Sequence, residues 1–389
     1  MTLNFYDLLV ERAKTFGNKT FLRVDDEIFS YEDFLAAVDG HLTGCKFVTQ
    51  AVNFFAAQKS GKIPVLLHDG TTKIFGGDGT NCLGVLTSGS TSAPKFLFRT
   101  FASWADFFST QNKIFRVDAA TKLFMHGSLS FTGNLNAFLA TLDAGGTIVT
   151  SEKFAPKTWL ELVAAATNIY LVPTKLILLA TGTPLDNIRA IFTGSQVLSA
   201  AQSLSLMKKF PAAELILYYG ATELNYITYK KISAENAGEV QNLGRAFDGV
   251  KIFVRDGLIY VDTKFHVSGF DNPGTVGDAG FIDGHGDLIF LGRGEDFINR
   301  GGVKVFASAV EQKLLTIDGV TAAAVVKVPD ETRGENFFAF VVGTVDKKTI
   351  RQALTPAELP REIIFVDELP LNSSGKVDKK RLLAQMSQT

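Results

Sequence analysis

Cysteine is scarce in this chain of 389 residues, and the two cysteines, Cys45 and Cys82, are too few for a disulfide framework or a cysteine-rich metal site. An excess of charge of one sign is also lacking, because 39 basic and 40 acidic side chains leave a net charge of -1. Such a balance provides no general attraction to nucleic acid or to an anionic membrane. No apolar run reaches the ~18 residues of a membrane span, and charged residues interrupt any signal-like stretch at the N-terminus. These absences predict a cytoplasmic protein with no nucleic-acid partner and no membrane span.

Histidine is sparse as well, and the five histidines, at positions 41, 68, 126, 266 and 285, show no metal-binding spacing. No histidine is therefore assigned a role. Phenylalanine, by contrast, is abundant, with 33 residues against 8 tyrosines and 2 tryptophans. Phenylalanine fills hydrophobic cores, and it also lines pockets for apolar ligands. The composition predicts a large core first, and a pocket for an apolar acid as the alternative interpretation.

The order of apolar and amphipathic segments predicts the fold class. Short apolar runs alternate with amphipathic stretches up to about residue 240, which is typical of an α/β architecture with a mostly parallel sheet. Hairpins are predicted at Asp25-Asp26, at Asp256-Gly257 and from Asp283 to Gly286. We expect a large N-terminal domain over residues 1–294, with mostly parallel sheets and a small β unit, and a small α+β domain over residues 295–389.

The first segment with chemical character runs from Thr87 to Lys95 and reads TSGSTSAPK. It follows an apolar run that predicts a buried strand. Backbone N–H groups and short hydroxyls of such a loop can surround phosphate oxygens, and the lysine adds a positive charge. The loop lacks the glycine-lysine-serine/threonine ending of a Walker A motif, so a P-loop NTPase or kinase is disfavoured.

Three further segments are weak signals individually. Residues 218–223 read YYGATE and follow another apolar run, where the glutamate can hold Mg²⁺ and the threonine can bond a phosphate. Gly277-Asp278 and Gly292-Arg293 offer an aspartate and an arginine for ribose hydroxyls. Residues 369–378 read LPLNSSGKVD and place Lys376 in a small-residue run before a basic helix. Taken alone, each is also compatible with a solvated loop.

Together and in this order, the four segments resemble the AMP-forming adenylate enzymes, which include acyl- and aryl-CoA synthetases, nonribosomal peptide adenylation domains and luciferase. The family's phosphate loop reads roughly T-S-G-[ST]-T-G-x-P-K, and its second motif is Y-G-x-T-E. The segment from Gly277 to Ile298 matches G-D-x-G-x-x-D-x-x-G-x-L…G-R-x-x-D-x-I, and Pro370 to Lys376 match P-x-x-x-x-G-K. The resemblance covers essentially residues 20–388, and the chain is similar to a compact member with a shortened N-terminal region.

The resemblance implies a role for each matching residue. Thr222, Glu223 and Lys376 would be catalytic: Thr222 contacts the α-phosphate, Glu223 coordinates Mg²⁺, and Lys376 bridges the carboxylate and the α-phosphate during adenylation. The small C-terminal domain would be mobile, with Glu295 at its hinge. Other positions are implied to bind ATP: Thr87, Ser88, Gly89, Ser90, Thr91, Ser92 and Lys95 at the β- and γ-phosphates, Tyr219 near the adenine, Asp278 and Arg293 at the ribose, and Gly220 without a more specific role. Gly301 and Gly302 would line the pantetheine channel.

The acyl pocket is predicted from positions around these motifs. Phe131 stands where many relatives have a histidine or an aromatic residue, and Thr132 stands where amino-acid-activating members have an aspartate. An α-amino acid is therefore disfavoured, and a phenylalanine-lined pocket suits an aryl or medium-chain apolar acid. The candidate pocket residues are Phe131, Asn134, Gly194, Ser195, Gln196, Tyr218 and Leu224.

Two departures from the family pattern keep alternatives open. Ser92 stands where the family usually has glycine, and serine is strained if that position needs a positive φ. The N-terminal region is shorter than in relatives, and a partner chain or a homodimer would cover the surface this leaves. The resemblance implies a carboxylate ligase that uses ATP and Mg²⁺ and passes the acyl group to a pantetheine thiol. Coenzyme A is favoured over an acyl carrier protein, and a non-catalytic nucleotide- or acyl-binding relative is the remaining alternative.

Overall fold

The computed structural model describes residues 4–87, 95–294, 297–370 and 377–386. The chain forms two compact units, one of Met1–Ile252 with Val261–Gly274, and one of Phe253–Tyr260 with Thr275–Thr389. The domain boundary that the sequence predicts after residue 294 rests on the position of a hinge, whereas the two units are distinguished by their compactness. The boundary therefore stays a prediction.

The first unit contains eight α-helices and thirteen strands within the described residues. They are α1 (Phe5–Phe16), β1 (Thr20–Val24), β2 (Glu27–Ser30), α2 (Tyr31–Asp39), α3 (Lys46–Lys59), β3 (Ile63–Leu66), β4 (Thr72–Phe75), β5 (Asn81–Leu86), β6 (Phe96–Thr100), α4 (Ala102–Phe115), β7 (Lys122–Met125), α5 (Thr132–Asp143), β8 (Thr147–Thr150), α6 (Pro156–Ala164), β9 (Asn168–Tyr170), α7 (Pro173–Leu176), β10 (Ala190–Thr193), α8 (Ala200–Lys209), β11 (Glu214–Ala221), β12 (Asn225–Ile232) and β13 (Arg245–Ala246).

Nine of these strands form one sheet in the order β13-β12-β11-β10-β9-β7-β8-β1-β2. The central pairs, from β11 through β10, β9, β7 and β8 to β1, are all parallel. Antiparallel strands close both edges, with β2 on one side and β12 and β13 on the other. Ligands of such sheets bind beyond the carboxyl ends of the parallel strands, and the loops after β7, β9, β10 and β11 lie at that edge.

Buried aromatic and aliphatic side chains pack on this sheet. One cluster includes Trp159, Ile169, Ile191 and Phe210, which come from helices and strands around β9 and β10. Phenylalanine also fills the core near α1–α3, where Phe54 and Phe55 pack edge to face with their ring centroids 5.2 Å apart. The many phenylalanines therefore serve the core first, as predicted.

A second sheet of the first unit has the order β4-β3-β5-β6. The β3 and β5 strands are parallel, whereas β4 and β6 pair antiparallel with them at the edges. Neither β4 nor β6 was predicted from the sequence. Because β5 and β6 are antiparallel neighbours, the segment from Thr87 to Lys95 connects the two strands of a hairpin.

The remaining elements belong mainly to the second unit. They are β14 (Val250–Arg255), β15 (Leu258–Thr263), β16 (Asp278–Ile282), β17 (Leu288–Arg293), β18 (Phe297–Arg300), β19 (Val303–Phe306), α9 (Ala307–Leu315), β20 (Val320–Asp330), β21 (Gly334–Gly343), α10 (Lys347–Ala353), β22 (Glu362–Phe365) and α11 (Lys379–Met386). Strands β14–β17 form one sheet in chain order, and β18–β22 form another in which β22 pairs parallel with β21.

The predicted α/β class is confirmed, with mostly parallel pairing in the large sheet and a smaller α+β part at the C-terminal end. The hairpin turns at Asp25-Asp26 and Asp283–Gly286 are also present. Helix α3 begins at Lys46, and the side chains of Phe47 and Val48 in its first turn are buried. Within the described ranges, no helix combines the length and the apolar character needed to cross a membrane.

Candidate active site

Two hydrogen bonds, one of them between backbone groups, hold the two ends of the predicted phosphate loop together. The Thr87 N–H donates to the Lys95 carbonyl oxygen, and the Lys95 N–H donates to the Thr87 hydroxyl, both at 3.2 Å. These bonds extend the β5–β6 hairpin by one pair and fix where the loop leaves and re-enters the sheet. The predicted ligands Ser88, Gly89, Ser90, Thr91 and Ser92 lie outside the described residues.

The second motif forms the tight connection between the antiparallel strands β11 and β12. A bulge between Tyr219 and Gly220 interrupts the register there. A Cβ atom on Gly220 would lie 2.5 Å from the Asn225 carbonyl oxygen, so only glycine allows the two strands to approach this closely. The connection closes where the Leu224 N–H donates to the Ala221 carbonyl at 3.0 Å. Thr222 and Glu223 therefore sit on a turn of fixed geometry at the predicted ligand edge.

Arg99 on β6 anchors this turn, a role that no local sequence pattern predicts. Its side chain is 0% exposed. One guanidinium nitrogen donates to the Thr222 carbonyl oxygen at 2.6 Å, and the other donates to the Phe265 carbonyl oxygen at 2.9 Å. Burial lowers the pKa of Arg99 to about 9, and the nearby charge of Glu223 opposes that shift. Arg99 thus places a buried positive charge directly behind the turn.

The turn has two further attachments within the first unit. The Val267 N–H donates to the Glu223 carbonyl oxygen at 2.9 Å. The hydroxyls of Thr222 and Thr132 lie 3.4 Å apart, which brings the turn to the start of α5. The Glu223 side chain is partly exposed. A single carboxylate of this kind fits Mg²⁺, which proteins usually bind through one or two carboxylates together with substrate phosphates.

One other predicted acyl-pocket residue, Gly194, packs against Tyr218, and two residues that were not predicted, Tyr170 and Gly133, lie beside it. A Cβ atom on Gly194 would lie 2.4 Å from the Tyr218 ring, so the ring packs directly on that glycine. The Tyr218 hydroxyl lies 3.0 Å from that of Tyr170, and a Cβ on Gly133 would come within 2.1 Å of the Tyr170 oxygen. Burial raises the pKa of Tyr170 to about 12 and also raises the pKa of Tyr218 well above its usual value, so both stay protonated. Tyr170 was not among the predicted residues because only the strand order brings it beside Tyr218.

The other acyl-pocket candidates differ in burial. Phe131 is 55% exposed, with its ring 4.8 Å from that of His68, whereas Leu224 is almost fully buried. Ser195 and Gln196 are exposed, and Ser195 adopts a positive φ of 70°. The remaining candidate, Asn134, is buried and donates to the Ser128 carbonyl oxygen at 2.9 Å.

The predicted ribose ligands pair with each other in the second unit. Asp278 and Arg293 face each other across β16 and β17, with Arg293 Nε 3.0 Å from Asp278 Oδ1. The Asp278 side chain is 5% exposed and that of Arg293 is 57% exposed. Arg293 also lines a cleft of about 530 Å³, together with Gly277 and Lys304.

Gly301 and Gly302 form the turn between β18 and β19. Their φ angles of 60° and 92° are left-handed and favour glycine, and a Cβ atom on either would meet no other atom within 4 Å. The turn opens on a second cleft of about 430 Å³. The hinge candidate Glu295 and the catalytic candidate Lys376 lie outside the described residues.

Two protein-family models match the chain, and several known proteins are similar to it. The model of the AMP-binding enzyme matches residues 79–264, and that of the AMP-binding enzyme C-terminal domain matches residues 309–376. An uncharacterized acyl-CoA ligase YhfT of Bacillus subtilis is 31% identical over 322 residues, which are 76% of this chain and 67% of the relative. A 2-succinylbenzoate-CoA ligase of Lactococcus lactis is 27% identical over 64% of this chain and 58% of its own length.

Solved structures share the fold. The amide bond synthetase McbA from Marinactinospora thermotolerans superposes with a TM-score of 0.83 over 98% of this chain and 99% of its own, at 18% identity. At that identity the likeness concerns the fold alone.

Proposed function

Because the chain belongs to the family of AMP-binding enzymes, we propose that it joins an aryl or medium-chain carboxylic acid to coenzyme A at the expense of ATP. The class of reaction is that of an AMP-forming acid–thiol ligase, as in the acyl-CoA ligases that it resembles. The kind of acid and the choice of coenzyme A over an acyl carrier protein are the finer parts of the proposal.

The reaction activates a carboxylate, which by itself reacts poorly with a thiol. In the first step a carboxylate oxygen attacks the α-phosphorus of ATP, a P–O bond breaks, and pyrophosphate leaves. In the second step a thiolate attacks the acyl carbon of the mixed anhydride, and AMP leaves with the bonding electrons. The first step is an in-line displacement, which depends mostly on positioning and on neutralising charge.

The observation that carries the proposal is the anchored turn of Thr222 and Glu223. Arg99 holds its backbone, and the Thr222 hydroxyl lies 3.4 Å from Thr132 at the start of the predicted acyl motif. A hydroxyl for a phosphate oxygen is thus next to the segment predicted to receive the acid. This neighbourhood is what transfer of an adenylyl group to a carboxylate requires.

The roles of the other groups follow from the family. Glu223 would hold Mg²⁺, which when bound neutralises charge on the phosphate oxygens. Asp278 and Arg293 would hold the ribose hydroxyls, and their pairing keeps both side chains on one face of the β16–β17 hairpin. Lys376 would approach the α-phosphate on a mobile domain of residues 295–389 during adenylation.

Release of pyrophosphate tests this function. We expect release that depends on ATP, Mg²⁺ and an acid from a panel of aryl, fatty and dicarboxylic acids, followed by thioester formation when coenzyme A is added. Product that appears only with a carrier protein would overturn the choice of acceptor. No release with any acid would favour a non-catalytic nucleotide- or acyl-binding protein.

A matched pair of variants tests the site. Glu223→Gln is expected to slow pyrophosphate release by about 10²-fold, since one charge that acts in the transition state is lost. Glu362→Gln changes an exposed glutamate of β22 in the same way and should leave the rate unchanged. Equal rates for both variants would remove Glu223 from the site.

A further inference from the structure

Lys175 carries an ammonium group without a carboxylate partner at the ligand edge of the large sheet. It lies in the short helix α7 directly after β9 and is partly buried. Its Nζ donates to the His126 carbonyl oxygen at 3.2 Å and lies 3.1 Å from His126 Nδ1. In the part of the chain that the structure describes, no carboxylate oxygen lies within 4.0 Å of Lys175 Nζ.

The surroundings leave this positive charge uncompensated. Burial, followed by the charge of Lys175, lowers the pKa of His126 to about 4, so the ring is neutral at neutral pH and its Nδ1 can accept from the ammonium. Burial also lowers the pKa of Lys175 itself. Asp25 is near enough to oppose the shift of His126, but it forms no ion pair with Lys175. A half-buried cation held only by neutral acceptors is available to an external anion.

A second donor lies beside the ammonium. A Cβ atom on Gly127 would be 3.0 Å from both Lys175 Nζ and Asn134 Nδ2, so the two nitrogens converge on the backbone of that glycine. Asn134 uses one of its two N–H groups on the Ser128 carbonyl oxygen. Asn134 also belongs to the predicted acyl pocket, which places the pair of donors at that pocket.

The strand order gives the distance from the reacting end. Thr222 follows β11, Lys175 follows β9 two strands away, and His126 follows β7 one strand further. Neighbouring strands are about 4.8 Å apart, so the ends of β9 and β7, beside which Lys175 and His126 meet, lie roughly 10–14 Å along the sheet from the end of β11. A carboxylate that reacts near Thr222 cannot also contact Lys175. The spacing instead suits a group at the opposite end of an aryl or medium-chain acid.

We propose that Lys175 and Asn134 form a subsite for a second carboxylate, at the end of the acid remote from the reacting one. The inference rests on the proposed ligase function and narrows its substrate class to dicarboxylic acids. Lys175 supplies the charge, and Asn134 supplies a neutral hydrogen bond that fixes the orientation of the distant carboxylate.

The test compares dicarboxylic acids with their own monomethyl esters, which are longer by one methyl group and lack the second charge. We expect the wild-type enzyme to prefer the diacid in kcat/KM by about 10- to 100-fold, in line with one charged hydrogen bond. Lys175→Met should remove that preference by lowering the value for the diacid alone, and Lys175→Arg should restore part of it. Lys157→Met, at an exposed position of α6, is the control.

A second measurement separates this inference from the ligase function. Diacids should raise the melting temperature of the wild-type protein more than their monoesters, and Lys175→Met should abolish the difference. Turnover of monoesters with no preference for diacids overturns the subsite and leaves the ligase function. A lysine-dependent melting shift without pyrophosphate release overturns the ligase function and leaves the subsite. Equal losses with both acids in Lys175→Met would make the residue merely structural and also overturn the subsite.

Discussion

Replacing Arg99 by methionine is the sharpest test of how the turn of Thr222 and Glu223 is held. Methionine keeps an unbranched apolar side chain in the buried space and removes the charge and all donors. The carbonyl oxygens of Thr222 and Phe265 then lose partners at 2.6 and 2.9 Å. We expect the turn to loosen while the rest of the first unit stays folded.

The magnitude comes from two opposing effects. Each hydrogen bond from a charged donor contributes about 1.5–3 kcal/mol, so their loss destabilises the protein by about 3–6 kcal/mol. Removing a buried guanidinium also relieves a desolvation cost of a few kcal/mol. We expect a net loss of about 1–4 kcal/mol in the free energy of unfolding. A displacement of Thr222 and Glu223 by about 1 Å should slow adenylation by about 10²-fold.

Two assays measure these effects separately. Urea unfolding at 25 °C gives the change in stability, and ATP–pyrophosphate exchange titrated with Mg²⁺ gives the rate and the apparent metal affinity of the folded enzyme. Arg99→Lys should recover part of the stability because it keeps one donor, and Arg351→Met at an exposed position of α10 is the control. If folded Arg99→Met retains the wild-type rate and Mg²⁺ dependence, Arg99 does not position the turn.

Three other changes test separate parts of the molecule. Lys376→Ala should slow adenylation by about 10²–10³-fold, or roughly 2.7–4 kcal/mol, while thioester formation from supplied adenylate changes much less; equal losses would refute its role. Gly194→Ala places a Cβ 2.4 Å from the Tyr218 ring, so it should lower the free energy of unfolding in urea by about 1–3 kcal/mol and change the preferred acid. Unchanged selectivity would remove Gly194 from the pocket. Burial, followed by the charge of Lys175, lowers the pKa of His126 from 6.5 to about 4. Between these two pH values His126 is protonated mainly in the unfolded chain, so the free energy of unfolding should fall as the pH drops from 6.5 to 4. His126→Gln should flatten that slope in unfolding curves, and an identical slope would refute the assignment.

Local patterns were sufficient for the parts of the site that depend on neighbouring residues. The sequence predicts that the YYGATE motif follows an apolar strand, because an apolar run followed by polar turn residues is a local signal. It also predicts the turn from Asp283 to Gly286, and the hairpin that this turn closes brings Asp278 opposite Arg293. Arg99 gave no such signal. Its partners are 123 and 166 residues away in sequence, so its role appears only when β6, the turn and residue 265 are brought together.

The order of the strands in the large sheet explains most of the contacts that the sequence does not predict. Lys175 and His126 are 49 residues apart, and they meet because β7 and β9 are parallel neighbours although β8 lies between them in the chain. The same order brings Tyr170 to Tyr218 across β10. Periodicity predicts that a segment is a strand, but it does not determine which strand lies beside it.

The position of β6 links the two segments that are predicted to hold the phosphates, Thr87 to Lys95 and residues 218–223. This five-residue strand begins directly after Lys95, at the end of the predicted phosphate loop, and Arg99 lies four residues further on. The Phe98 carbonyl also accepts from the Ser268 N–H at 2.8 Å, while Val267 donates to Glu223. A shift of β6 would therefore move Lys95 and the turn of Thr222 and Glu223 together. In-line transfer tolerates little error in the position of the phosphate relative to the acid. If both segments bind phosphate as we propose, a shared strand would hold their relative position.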